Sequence, residues 1–180
     1  MSAASPDWTL AIHGGSGTMT RERIGEGAAY RAGLAAALES GRAVLAAGGS
    51  ALDAVEASVM TLEDDPQFNA GQGGVFTAEG INELDAAIMD GAARAAGAIA
   101  GVTRTRNPVR LARAVMENSP HVLLARDGAD VFSLEQGLEQ VDPAWFRTEE
   151  RWQALQAMKA AAARGEPLFD KALKYGTVGA

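Results

Sequence analysis

Between Gly74 and Val102 three short apolar runs follow one another with no room for a helix between them. Val75-Phe76-Thr77, Ala86-Ala87-Ile88-Met89 and Ala96–Val102 are bounded by Gly, Asn and Asp, as sheet strands are. Strands joined this closely pair antiparallel, because a parallel pair needs a crossover of about a dozen residues or more. The spacing therefore predicts strands over Gly74–Ala78, Leu84–Asp90 and Ala96–Val102, forming an antiparallel centre. That centre disfavours a doubly wound nucleotide fold. The GxGxxG phosphate loop is also absent, since Gly25-Glu26-Gly27 and Gly71-Gln72-Gly73 both lack the third glycine.

On either side of the centre the apolar period lengthens. Trp8–His13 reads as a buried strand that runs into the turn Gly14-Gly15-Ser16-Gly17. From about Arg21 the stripe Gly27, Tyr30, Leu34, Leu38, Gly41, Leu45 predicts an amphipathic helix, its glycines allowing close approach to a sheet, and Gly48-Gly49 ends it. Ser50 opens a second helix with Asp53 as its capping-box partner and Leu52, Val55, Val59 and Leu62 as its buried face. Pro66 stops that helix. Glu63-Asp64-Asp65 then stand at the end where the helix dipole disfavours negative charge, which calls for a cation, hydrogen bonds or solvent. Asn107-Pro108 predicts a helix start with Asn107 as N-cap, running to about Asn118. His121–Arg126 reads as a strand and Asp127-Gly128 as a turn. Thr148–Ala163 reads as a helix with Trp152, Leu155, Met158 and Ala162 inward. Arg164–Tyr175 reads as an exposed linker. Helices flanking a group of strands give a layered α+β fold.

Composition removes most conventional chemistry. The 180 residues suit about one domain, and 16 Lys and Arg against 23 Asp and Glu leave a net charge of −7, which argues against a nucleic-acid partner. With no cysteine there is no disulfide, thiolate metal site or Cys nucleophile, and His13 and His121 alone cannot build a multi-histidine metal centre. Met1–Ser5 lacks the basic and apolar regions of a signal peptide, and no apolar run approaches the ~18 residues of a membrane span. A cytoplasmic protein with no membrane partner is the expectation.

The chemistry that remains lies at Tyr175-Gly176-Thr177-Val178-Gly179-Ala180. A Gly-Thr bond after a polar linker is what a self-cleaving threonine hydrolase needs. Thr177 Oγ1 would attack the Gly176 carbonyl, and hydrolysis of the resulting ester would leave Thr177 with a free α-amine. Glycine on the acyl side tolerates the close approach. An α-amine with a pKa of roughly 7.7–8.0 could then serve its own hydroxyl as general base, with no Cys, His or metal. Taken alone, Gly-Thr is a very common dipeptide, and an ordinary tail is by far the stronger reading.

Nine short motifs in order carry more weight. They are His13-Gly14-Gly15-Ser16-Gly17, Ser50–Val55, Phe68-Asn69-Ala70-Gly71-Gln72-Gly73-Gly74-Val75-Phe76-Thr77, Glu83-Leu84-Asp85-Ala86, Met89-Asp90-Gly91, Gly101-Val102, Arg106-Asn107-Pro108, Ser119-Pro120-His121-Val122 and Gly176-Thr177-Val178-Gly179-Ala180. Together they resemble the α-subunit region of plant-type L-asparaginases, also called isoaspartyl peptidases, from Trp8 to Ala180. Glycosylasparaginases are a related alternative, but usually carry His-Asp or His-Gly before Thr-Ile-Gly.

The resemblance implies a four-layer αββα Ntn-hydrolase sandwich, of which this chain supplies the α-subunit part. Residues 1–163 would be the α-subunit core, 164–176 a flexible linker to the cleavage site and 177–180 the start of the β subunit. It implies Thr177 as nucleophile, Gly176 as the last α residue, Asn69 as a positioning group, and Gly14 and Gly15 as a processing loop. It also implies a β-subunit partner from the same precursor, a second αβ unit giving (αβ)2, and asparagine or β-aspartyl dipeptides as substrates. No cofactor is implied for the chemistry. A structural Na+ is implied on the backbone carbonyls of Leu62, Glu63, Asp65, Phe68, Ala70 and Gln72, with Asp65 a departure from the usual side chain. The family's substrate-clamping arginine and aspartate lie beyond the nucleophile, past the three residues that follow Thr177 here, so a β part is needed for activity. The alternative is a non-catalytic scaffold or assembly subunit, or an inactive fragment.

The other polar groups have plainer readings. His13 reads as a buried hydrogen-bonded histidine, His121 as locally paired, Asp53 as a helix cap, and Asp85 and Asp90 as buried structural carboxylates.

Overall fold

A computed structural model describes residues 7–16, 27–165 and 176–180 of the chain. Within these the order is α1 (Ala28–Ala46), α2 (Ala51–Glu63), β1 (Leu84–Asp90), β2 (Ala95–Val102), α3 (Pro108–Asn118), β3 (Leu123–Ala125), α4 (Arg126–Glu135), a 3₁₀ turn (Pro143–Phe146) and α5 (Glu149–Ala163). The fold is α+β, with a small mixed sheet and five α-helices among the described residues. No helix among them is long and apolar enough to cross a membrane.

β1 lies where its apolar run places it and pairs antiparallel with β2, from Leu84 opposite Val102 to Asp90 opposite Ala95. The register shifts between Leu84 and Ala86, and Asp85 Oδ1 accepts from Gly101 N at 2.8 Å beside this irregularity. Asp90 Oδ1 closes the following turn by accepting from Ala92 N at 2.8 Å. Asp85 is exposed and Asp90 half-buried, so neither is the buried carboxylate expected. β3 joins β2 in parallel, which is possible because α3 supplies the crossover.

Residues 74–78 do not form the expected strand. Their backbone groups are claimed by side chains: Val75 N donates to Asn69 Oδ1 at 2.9 Å, and Asn82 Nδ2 donates to Gly74 O at 2.8 Å and Val75 O at 3.2 Å. Only the bridge from Phe76 to Asn82 remains. Trp8–His13 likewise has a single bridge, from His13 to Gly179. The Asp127-Gly128 turn is replaced by α4, which buries Ala129 and Ser133. Arg126 enters this helix with φ 52°, so the sharp turn comes one residue earlier than its Asp-Gly signal.

The main core sets Leu84 and Ile88 of β1 and Ile99 and Val102 of β2 against Val109, Leu111, Ala112 and Val115 of α3. Phe146 completes it at 0% exposure. Helix α2 follows its capping signal, with Asp53 N donating to Ser50 Oγ at 3.1 Å and Ser50 N to Asp53 Oδ2 at 3.3 Å. The Ser50 hydroxyl, then Arg113, holds the Asp53 carboxyl down at about 2. Ala54, Ser58, Leu62 and Glu63 are its most buried residues, while Leu52, Val55 and Val59 are partly buried against the main core. Helix α1 packs on α2 instead of on the sheet. A Cβ at Gly41 would meet Ala54 O at 2.9 Å, and Ala37 is buried where Leu38, at 41% exposure, was expected. Residues 21–26 of the helix read from Arg21, and 166–175 of the proposed linker, lie outside the described residues. Asn107 stands at the N-cap of α3 without a side-chain cap bond, and its Nδ2 reaches Asp64 Oδ1 at 3.3 Å instead. On α5, Arg151 and Leu155 are buried, Trp152 and Met158 half-buried and Ala162 exposed, so the inward face is turned from the one expected.

Sheet and α3 meet at Gly97, where an added Cβ would lie 2.5 Å from Met116 N, 2.8 Å from Met116 Cβ and against Ala112 O. Gly97→Ala is expected to lower unfolding free energy by about 1–3 kcal/mol, the usual range for overpacking. Urea unfolding checks this, and an unchanged midpoint would contradict the packing described.

Candidate functional site around the Gly176–Thr177 bond

The segment Gly176–Ala180 is laid onto the body of the fold by three contacts. His13 N donates to Gly179 O at 2.8 Å and Gly179 N to His13 O at 3.0 Å, a two-bond antiparallel bridge. Val178 packs on the smaller core of Ala37, Leu62 and Phe68, beside Ile12, Tyr30 and Leu34. Asn69 Nδ2 donates to Gly176 O at 3.0 Å. Thr-Val-Gly is thus read locally: Thr177 stays exposed, Val178 turns inward, and Gly179 lies against the His13 ring, where a Cβ would collide with Nε2. His13 itself is exposed, not the buried histidine expected, and its Nδ1 accepts from Gly15 N at 3.3 Å. His121 is exposed too, with its N–H donating locally to Ser119 Oγ at 3.1 Å.

The carboxamide of Asn69 has only one orientation that satisfies both neighbours. Val75 N–H needs an acceptor and finds Oδ1 at 2.9 Å, so Nδ2 must face the Gly176 carbonyl. An N–H donor on this oxygen favours negative charge developing there. Gly15 closes the other side. It sits at φ 103°, and a Cβ there would lie 2.8 Å from Thr177 O and 3.1 Å from Gly176 C. Gly14 serves a different contact, lying 2.7 Å (as an added Cβ) from the Phe68 ring. The two glycines therefore do separate work, and only Gly15 touches the junction.

At the acidic end of α2, Glu63 is buried while Asp64 and Asp65 are half-buried, and each accepts hydrogen bonds. Glu63 is 2% exposed, and its Oε1 accepts from Val109 N, in the first turn of α3, at 2.9 Å. Burial pushes its carboxyl up to about 8, against the opposing pull of the Val109 N–H. Its Oε2 is buried without a hydrogen-bond partner among the described residues. Asp64 takes a forked contact from Arg106, Nε to Oδ1 and Nη2 to Oδ2, each at 3.2 Å. Arg106 continues to Glu139 at 2.9 Å and lies 5.0 Å from the Trp145 ring centroid. Asp65 Oδ1 accepts from Gln67 N at 2.9 Å. Hydrogen bonds and an ion pair thus answer the unfavourable charge. A cleft of about 440 Å³ runs between β1 residues 85–89, Val55 and Val59, Glu63, and the segment 177–180.

The six positions expected to offer carbonyls to sodium run from the last two residues of α2, Leu62 and Glu63, through the loop that follows it. Glu63 O accepts from Gln72 N at 2.7 Å, and Asp65 O from Phe68 N at 3.1 Å. Leu62 and Phe68 are buried in the smaller core, and Ala70 lines the cleft. Loop carbonyls crowd so closely that a Cβ on Gly71 would lie 2.5 Å from Glu63 O, and one on Gly73 3.1 Å from Phe68 O. No group of three or more His, Cys, Asp or Glu side chains among the described residues could hold a metal ion. Main-chain oxygens, not a cluster of side chains, are what the described residues of this loop could offer a cation.

Sequence reading missed Arg151, whose guanidinium is buried under the same loop. The signal available was a charged residue on the inward stripe of α5, which reads by default as a solvated position.

Because Gly15 leaves no space for a side chain, Gly15→Ala should displace residues 176–179 from His13. Amide hydrogen exchange at Gly179 in the uncleaved chain is expected to quicken about tenfold or more, since its bond to His13 O is lost. Unchanged protection would contradict the contact.

Comparison with known proteins agrees with these motifs. The family model described as asparaginase matches residues 6–180. The isoaspartyl peptidase of Salmonella typhimurium is 46% identical over 178 residues, which is 95% of this chain and 56% of that protein. The isoaspartyl peptidase/L-asparaginase of Xenopus laevis is 41% identical over 174 residues, covering 95% and 53%. The plant-type L-asparaginase of Pyrococcus abyssi is 42% identical over 163 residues, covering 87% and 50%. The chain spans about half the length of the curated relatives it matches. With nearly its whole length matched by the family model and by these relatives, the chain belongs to the asparaginase family.

Proposed function

We propose that this chain is the α-subunit region, with the first residues of the β subunit, of a self-cleaving threonine amidohydrolase that acts on L-asparagine and β-aspartyl dipeptides. The observation that carries the reading is the bond from Asn69 Nδ2 to Gly176 O, 3.0 Å long, on the carbonyl of the peptide bond to be cut. Membership of a family whose relatives are named isoaspartyl peptidase and L-asparaginase supports the substrate class.

Thr177 Oγ1 adds to the Gly176 carbonyl carbon, and Asn69 Nδ2 stabilises the oxyanion. The C–N bond breaks, the hydroxyl proton passes to the departing amine, and an ester joins Gly176 to Thr177 Oγ1. Water then cleaves the ester to give the Gly176 carboxylate and a free Thr177 α-amine. In the cytoplasm, where this reading puts the protein, that amine is partly neutral because its pKa is roughly 7.7–8.0. It takes the hydroxyl proton as Oγ1 attacks the β-carbonyl of the substrate. Ammonia or an amino acid leaves, and water releases aspartate from the β-aspartyl ester.

Residues 1–163 serve as the α core, 164–176 as the linker and 177–180 as the start of the β part, which supplies the substrate clamp. The burial pattern of β1 supports a four-layer αββα sandwich completed by the β part. Leu84 and Ile88 face the helices, while Asp85, Ala87 and Met89 are exposed on the other side, where a second sheet would lie. Two αβ units then associate as (αβ)2. The carbonyls of Leu62, Glu63, Asp65, Phe68, Ala70 and Gln72 would hold a sodium ion, which supplies rigidity to the loop carrying Asn69 and no chemistry of its own.

In the full precursor, Thr177→Ala is expected to abolish both cleavage and turnover, and Asn69→Ala to slow cleavage about 100-fold, the scale of losing one oxyanion donor. Cleavage at the normal rate in Thr177→Ala, followed on denaturing gels, would overturn the assignment. Replacing sodium by tetramethylammonium should lower the thermal midpoint by a few degrees. Tenfold saturation corresponds to about 1.4 kcal/mol, and a domain of this size shifts roughly 2–4 °C per kcal/mol. No shift would count against the sodium site.

A further inference from the structure

Arginine is almost never fully buried unless its donors are engaged, yet Arg151 in the first turn of α5 is only 4% exposed. Its Nε donates to Gly73 O at 2.8 Å and its Nη2 to Gln67 O at 3.4 Å. These carbonyls flank Asn69, two residues before it and four after. Gly73 is gripped from the same side through its amide, which donates to Phe146 O at 2.9 Å just ahead of α5. Two residues past Gly73, Val75 N fixes Asn69 Oδ1, and so decides which end of the carboxamide meets Gly176 O.

We propose that Arg151 is a positioning residue for the cleavage reaction: its guanidinium staples the two ends of the 67–73 turn and thereby aims Asn69 Nδ2 at the Gly176 carbonyl. The inference rests on the reading of Gly176–Thr177 as the bond that is cut. A planar guanidinium suits the task because its N–H groups diverge at fixed angles and can hold two carbonyls at once. A lysine ammonium on a flexible stem can answer one of them but does not fix the distance between them. The carbonyls bound by Arg151, at Gln67 and Gly73, are not among those assigned to sodium, so the two cations would hold the turn at different oxygens. The guanidinium of Arg151 holds the Gly73 and Gln67 carbonyls, and its effect on the bond that is cut passes through Asn69.

The test is a double-mutant comparison of cleavage rates in the full precursor, using folded material checked by circular dichroism. Arg151→Met should slow cleavage about tenfold or more, the scale of a small misplacement of a catalytic group. Arg151→Lys should fall between it and the native protein. In an Asn69→Ala background Arg151→Met should change the remaining rate less than about twofold, because the group it aims is gone. Leu155→Ala, on the same helix, should lose thermal stability and still cleave normally. Equal slowing by Arg151→Met in both backgrounds, slowing by Leu155→Ala to the same degree, or no slowing in Arg151→Met would overturn the proposal. If Arg151→Met does not fold, Arg151→Lys decides it in the same two backgrounds. A native precursor that never cuts would instead remove the functional reading itself. One that cuts, slows on loss of Asn69 and ignores Arg151 would remove only this inference.

Discussion

The carboxamide of Asn69 joins the folded body to the Gly176–Thr177 peptide bond. It accepts from Val75 N on one side and donates to Gly176 O on the other, and each bond makes the other necessary. An amide has distinct donor and acceptor ends, so a flip would break both contacts together. Much of the surrounding structure holds this group still. The Phe68 ring, 2% exposed and edge-on to Tyr30 at 5.9 Å, anchors the turn from below. Gly73 and Gln67 are tied to α5, and Gln72 to the last residue of α2.

The acidic end of α2 bears on the same loop. Three carboxyl groups stand at a helix C-terminus, where the dipole disfavours their ionised form and burial already pushes Glu63 up to about 8. The fold answers each differently: Glu63 on a helix-α3 amide, Asp64 on the Arg106 guanidinium, Asp65 on the Gln67 amide. Arg113 adds ties from α3 to Asp53 and Glu56 at 2.7 and 3.1 Å. Exposed ion pairs contribute little individually. Their value here is geometric, because they bring α3, α2 and the start of the Asn69 loop into one rigid corner. Glu63 also lines the cleft that Thr177 borders, and its Oε2 is buried without a hydrogen-bond partner among the described residues.

What was legible in the sequence was local. The Ser50–Asp53 box, Pro108 at a helix start and the bounded apolar run of β1 each depend on a few neighbouring residues, and each appears where expected. Features set by distant partners were not. Val75–Thr77 has strand composition, but Asn69 and Asn82 take the hydrogen bonds a neighbouring strand would have used. Asp127-Gly128 is a turn signal, yet Ala129 and Ser133 gain enough burial in α4 to override it. His13 was placed inside because its run is apolar, whereas the bridge to Gly179 leaves its ring at the surface. At the site, the family resemblance implies Asn69, Gly176, Thr177 and the glycine pair Gly14 and Gly15. That Gly15 serves the junction while Gly14 serves Phe68 needed coordinates, as did Arg151, since a buried charge leaves no periodic mark.

The account stands or falls on one bond. Intact mass and amino-terminal sequencing of the protein purified from its full-length gene test it directly. A fragment beginning Thr-Val-Gly-Ala, with a second ending at Gly176, is the predicted result. A single uncut chain that nonetheless hydrolyses β-aspartyl dipeptides, or a cut anywhere other than between Gly176 and Thr177, would contradict it.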